Sequence, residues 1–222
     1  MIVEQLQNLL ERVYDVPVVH TVANFLLTDR DKMSLLATHC DLPSGSHDAQ
    51  DEQVLVHAAN DVLEVTVFID SQVLQRLDAS NPCEQLNDAN MADYCTALEG
   101  VSHFHYLTWR ATYEHEVSLL ELELQAEVDK YAAAMCLLTA QCNGAFPFAL
   151  HERLFHRVRY RSELQGEALQ RYQTANRGAA RFCRALDERF LRGRRKQPEA
   201  WLRQLRQFYR LSYTQKMQCI AA

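Results

Sequence analysis

Between Ala97 and Tyr131, Glu99, His103, Tyr106 and Arg110 recur at the spacing of one helix face, and Glu123, Glu127 and Lys130 form a second such stripe. Carboxylates and imidazoles are the side chains that hold divalent ions and move protons. Glu99, His103, Glu123 and Glu127 are therefore candidate ligands for a metal, and Glu99, His103, Tyr106 and Arg110 are candidate catalytic groups for acid and base work. An i,i+4 step puts Glu99 and His103 one turn apart on the same side of a helix, whereas His105 points away, so His-x-His is no chelate here. The pair departs from the Glu-x-x-His element of two-metal helical bundles, no second copy follows, and no H-E-x-x-H is present. A mononuclear site or a Glu/His acid and base pair are the chemistries left open. A structural reading stands beside them, with Glu99 pairing Lys130, His103 pairing Glu127, and Arg110 pairing Glu123 or Glu114. Exposed pairs of that kind contribute only about 0.3–0.5 kcal/mol each.

Two helices must carry these stripes. The first is expected from Asp88 to about Ala111. A capping box at Ser118 and Glu121 opens the second, which should stop at Asn143-Gly144. The short connection from Thr112 to Val117 suits an antiparallel pair, which would turn the stripes toward each other. Gly100 sits in mid-helix, where glycine costs about 1 kcal/mol relative to alanine, so close approach of another backbone or a ligand is expected there.

Around them, Ile2, Leu6, Leu9, Leu10 and Val13 mark an amphipathic first helix ending near Asp15 to Pro17. Further helices are expected from Pro147 to about Tyr160, from Glu163 to Leu191 with a stop at Gly193, and from Pro198 onward with Trp201, Leu205, Phe208 and Leu211 on one side. Residues 22 to 28, 53 to 57 and 62 to 69 read as strands, which suggests a three-stranded antiparallel meander with Leu63, Val65, Val67 and Ile69 on a fully apolar face. The expected fold is α+β: a small antiparallel sheet beside a body of five or six helices. One domain over 1–222 is expected, with residues 1–86 supplying the sheet and 87–222 the helices. Thr38 to Asp51 has loop composition and holds ligand types in His39, Cys40, Asp41, His47 and Asp48, without the preorganised geometry that a metal requires.

The string Ala97-Leu-Glu-Gly-Val-Ser-His-Phe104, followed by Leu120-Glu-Leu-Glu-Leu-Gln-Ala-Glu-Val-Asp-Lys130, resembles a segment shared by an uncharacterised group of bacterial proteins. The likeness implies no activity.

A formal charge of −6 conceals an uneven distribution. Residues 1–150 hold 23 acids against 6 bases, and residues 151–222 hold 17 bases against 6 acids. Two arginine rows run at helical spacing in the basic part, Arg177, Arg181 and Arg184, then Arg203, Arg206 and Arg210. They are candidate contacts for an acidic protein partner or a second copy of this chain, and less readily for a phosphate backbone, since neither a helix-turn-helix nor an RNP motif is present. The leading expectation is a non-enzymatic interaction or regulatory protein acting through complementary acidic and basic surfaces. A metal-dependent or acid and base enzyme of hydrolase type is the alternative, and nucleic-acid binding a third. With six glycines and no G-x-G-x-x-G or P-loop, no nucleotide cofactor is expected; a divalent metal stays open. Seven scattered cysteines without C-x-x-C suit reduced thiols in the cytoplasm. The first residues read as a mature helix, and no stretch has the roughly 18 apolar residues of a membrane span, so no membrane association is expected.

Overall fold

The computed structural model describes residues 1–37, 51–59, 62–113, 116–158, 164–193 and 195–221. His39, Cys40, Asp41, His47 and Asp48 lie outside the described residues, as do Glu114, His115 and Tyr160. By contact the chain forms two compact units, residues 1–9 with 18–117 and residues 10–17 with 118–222. Helix α1 (Ile2–Tyr14) contributes to both.

In the first unit a 3-10 turn (Val22–Phe25) leads into β1 (Leu26–Leu27), α2 (Arg30–Ala37), β2 (Glu52–Ala59), β3 (Val62–Ile69), α3 (Ser71–Ala79) and α4 (Met91–Ala111). The sheet order is β1-β3-β2. Strands β2 and β3 pair antiparallel, with Val54 opposite Val67 and Glu52 opposite Ile69. Strand β1 runs parallel to β3, through Leu26 opposite Val67 and Leu27 opposite Phe68. The sheet is thus mixed, not the antiparallel meander expected. The reason is the intervening helix: α2 separates β1 from β2, so the two are not joined by a hairpin, and β1 takes the other edge of β3 through a crossover connection of the kind parallel pairs need. Half of the expected first strand is wound into the 3-10 turn, which leaves β1 two residues long.

As the middle strand, β3 is covered on both faces near its end, where Val67, Phe68 and Ile69 are all buried. Met33 of α2 packs with Leu55 and Phe68 on one side, and α4 meets Val67 on the other. Continuous apolar residues are what a doubly covered strand requires, whereas alternation serves a half-exposed one. Asp70 caps α3 by accepting from the Gln72 amide at 2.8 Å and also takes Arg30 Nη2 at 2.5 Å. Arg76 grips Asp93 with two bonds of 2.7 Å, fastening α3 to α4.

The second unit contains the end of α1 with α5 (Leu119–Gln141), α6 (Leu150–Phe155), α7 (Gly166–Phe190), α8 (Pro198–Arg210) and α9 (Tyr213–Ala221). Ser118 caps α5 by accepting from the Glu121 amide, as its capping box leads one to expect. The helix stops where Asn143 and Gly144 adopt positive φ. Helix α6 is shorter than expected, because Pro147 lies in a preceding turn, its carbonyl accepting from Leu150 N. Phe182 stacks on Phe208 with centroids 3.9 Å apart, and Tyr14 on Tyr209 at 4.1 Å. Nine α-helices are present among the described residues, against the five or six expected. The surplus lies in α2, α3 and α9, each of eight or nine residues and too short to show more than two turns of periodicity. Among the described residues, no helix is long and apolar enough to cross a membrane.

Candidate functional site

Helix α4 is enclosed on nearly all sides between Ala97 and Leu107, so its polar residues there are buried with it. His103 is 7% exposed, Tyr106 and His105 are fully buried, Arg110 is 6% exposed, and Glu99 is partly exposed. One donor atom of Glu99 and one of His103 lie within 4.8 Å of each other. The i,i+4 spacing has therefore brought a carboxylate and an imidazole together on one face of the helix.

A third group joins them from the sheet. Glu52 opens β2, and its Oε1 lies 3.6 Å from His103 Nδ1, both side chains almost wholly buried. Glycine at position 100 makes this approach feasible: a Cβ there would stand 3.1 Å from Glu52 Cγ, 3.2 Å from Glu52 Oε1 and 3.1 Å from Val67 Cγ1. The mid-helix glycine is thus accounted for by close approach of the sheet's side chains. Sequence reasoning missed Glu52, whose only trace was the cost of glycine at position 100. Further along the stripe, the Arg110 guanidinium lies 5.7 Å from the ring centroids of both Tyr106 and Trp109, a fixed positive charge held on aromatic faces.

The other two candidate ligands belong to the second unit. Glu123 is buried, with Arg171 Nε at 3.7 Å from its Oε1. Glu127 accepts from Lys130 Nζ at 2.5 Å and from Asn176 Nδ2 at 3.3 Å, so both its oxygens have partners within that unit. Lys130 thus has an i,i+3 partner on its own helix.

Two buried polar networks in this unit left no signal in the sequence. In one, Lys216 Nζ donates to Gln125 Oε1 at 2.7 Å, Gln125 Nε2 donates to Asp129 Oδ1 at 2.6 Å, and Tyr14 Oη donates to the same oxygen at 2.5 Å. All four side chains are fully buried. Burial first, and the Asp129 charge second, raise the Tyr14 phenol far above its ordinary range, which fixes it as the donor. In the other, Asp187 accepts from Tyr131 Oη and, at 3.1 Å, from Trp201 Nε1. Burial raises the Asp187 carboxyl above its ordinary value, and these two donors only partly offset the rise. Each network satisfies its own groups, which marks both as scaffold.

The arginine rows separate into two roles. Arg206 donates to the carbonyls of Val13 at 2.9 Å and Arg12 at 3.0 Å, and Arg210 to those of Tyr14 at 3.1 Å and Asp15 at 3.0 Å. Asp15 turns to positive φ, and Val16 N bonds back to Glu11 O at 3.2 Å. The two guanidiniums therefore cap the negative end of α1. Arg203 is exposed. Arg177, Arg181 and Arg184 are exposed on α7 and line a cleft beside α6.

No protein-family model matches this chain, and neither a curated protein nor a solved structure does so.

Proposed function

We propose that the first unit binds a divalent metal ion through Glu99 and His103 of α4, with Glu52 of β2 orienting the imidazole, and that the protein uses the ion for hydrolytic acid and base chemistry. The observation that carries this reading is the pairing of the partly exposed Glu99 with the buried His103, with a second carboxylate 3.6 Å from His103 Nδ1. That separation exceeds a hydrogen bond. It brings a negative charge to one ring nitrogen, which favours the proton there and turns Nε2 into the ligand, the arrangement found behind most metal-bound histidines. One nitrogen and carboxylate oxygens suit manganese, iron or zinc better than a soft, thiolate-seeking ion. When bound, such an ion supplies a hydroxide near neutral pH and polarises carbonyl or phosphoryl oxygens. Glu99 then holds charge at the centre, Glu52 keeps His103 in one tautomer, and burial of the imidazole keeps competing water from it.

This reading stands ahead of an interaction protein because Arg206 and Arg210 each donate to carbonyls at the end of α1. Elemental analysis tests it. Chelator-treated protein is exposed in turn to manganese, ferrous iron and zinc, desalted and assayed. We expect close to one ion per chain, lost in Glu99→Gln and His103→Asn, while Glu52→Gln weakens affinity by roughly 10- to 100-fold. Circular dichroism confirms that the variants are folded. No bound metal in the parent protein, or equal loading in folded variants, overturns the proposal.

A further inference from the structure

In the second unit, α6 and one face of α7 enclose a cleft of about 330 Å³. Its rim and floor differ in chemistry. Arg177, Arg181 and Arg184 stand on the rim at i, i+4 and i+7, each exposed. Among the described residues none of the three pairs with a carboxylate; Arg177 Nε reaches only the Gln173 carbonyl in its own helix, at 3.2 Å. Like charges on successive turns repel one another, and an anion between them would remove that repulsion.

The floor is aromatic. His151 and Phe155 are buried with ring centroids 4.9 Å apart, and His156 follows at 5.5 Å from His151. His151 Nε2 lies 2.8 Å from the Ala180 carbonyl, which can only accept, so Nε2 carries the proton. Burial lowers the His151 pKa first, the hydrogen bond to the Ala180 carbonyl raises it in part, and the positive charges of Arg184 and Arg192 add to the lowering. The imidazole is therefore neutral beneath a positive rim.

We propose that this cleft is a binding site for a small phosphate monoester, with the phosphate on Arg177, Arg181 and Arg184 and an apolar or aromatic body against His151 and Phe155. The planar forks of arginine match phosphate oxygens two at a time, and three of them suit a dianion better than a single carboxylate. The volume lies at the small end of ligand pockets, enough for a metabolite-sized molecule. A nucleic-acid strand would need a basic track continuing beyond it, and the second arginine row that could extend one has Arg206 and Arg210 engaged with α1. The site is independent of the metal reading, since all its residues are in the other unit.

The test is calorimetry on the whole protein with phenyl phosphate, inorganic phosphate and a short single-stranded oligonucleotide, for the parent chain, Arg181→Ala and Arg203→Ala. We expect saturable 1:1 binding of phenyl phosphate, tighter than inorganic phosphate because of the aromatic floor. Affinity should fall at least about tenfold in Arg181→Ala and stay unchanged in Arg203→Ala. Absence of saturable binding, equal losses in both variants, or an oligonucleotide that binds more tightly than phenyl phosphate with a steep salt dependence would each overturn the proposal.

Discussion

Gly100 shows how much a single residue can reveal. Its place in mid-helix is unfavourable by about 1 kcal/mol, and that penalty pointed to a close neighbour without naming one. The neighbours are Val67, whose branched side chain is stiff, and Glu52, which could not be assigned to α4 from the sequence because 48 positions separate them. Gly100→Ala sets helix propensity against crowding at 3.1 Å on two sides. We expect crowding to prevail, with a net loss of about 1 kcal/mol in urea unfolding, since overpacking costs about 1–3 kcal/mol. Metal affinity should fall as well, because the added methyl pushes Glu52 away from His103. A variant as stable as the parent with undiminished affinity would show that Glu52 needs no such room.

The elements were legible where sequence carries many turns of one pattern. Helices α4, α5, α7 and α8 lie within a few residues of where periodicity and caps put them, and Ser118 does what its capping box implies. Helices α2 and α3, by contrast, occupy stretches that offered only two turns of weak pattern, and missing α2 made the sheet look like a meander. Cap chemistry in α3 gives a pH dependence. Burial works to raise the Asp70 carboxyl, but the hydrogen bonds from Arg30 and the Gln72 amide outweigh it and hold the group below its ordinary value. A depressed carboxylate contributes stability above its unfolded pKa and loses it as pH falls through the folded one. Asp70→Ala should therefore be about 1 kcal/mol less stable than the parent chain near pH 7, with the difference closing below about pH 4. Urea titrations at several pH values check this, and a difference that persists undiminished into acid would point to packing instead of charge.

At the scale of the whole molecule, the charge split between residues 1–150 and 151–222 was the plainest feature of the sequence and the least specific. Composition counts arginines without distinguishing those that cap α1, those that line a cleft and those in solvent, because that depends on which helix ends and faces they meet. The same holds for the described cysteines, which are free thiols; partial burial raises the half-buried Cys136 to about 11, which suits an unreactive thiol. The Glu99 and His103 pair was legible because it is local to one helix, and the carboxylate behind it was not, because β2 supplies it. The central claim is that His103 is a metal ligand whose tautomer Glu52 fixes. Nitrogen NMR of protein labelled with ¹⁵N only at histidine addresses it directly, with zinc added stepwise and His103→Asn used to assign one of the nine histidines. The expected result is a His103 ring protonated at Nδ1 whose Nε2 resonance shifts to a metal-bound position and saturates at one equivalent of zinc. A His103 ring that carries its proton on Nε2, or whose resonances ignore zinc to saturation, would contradict it.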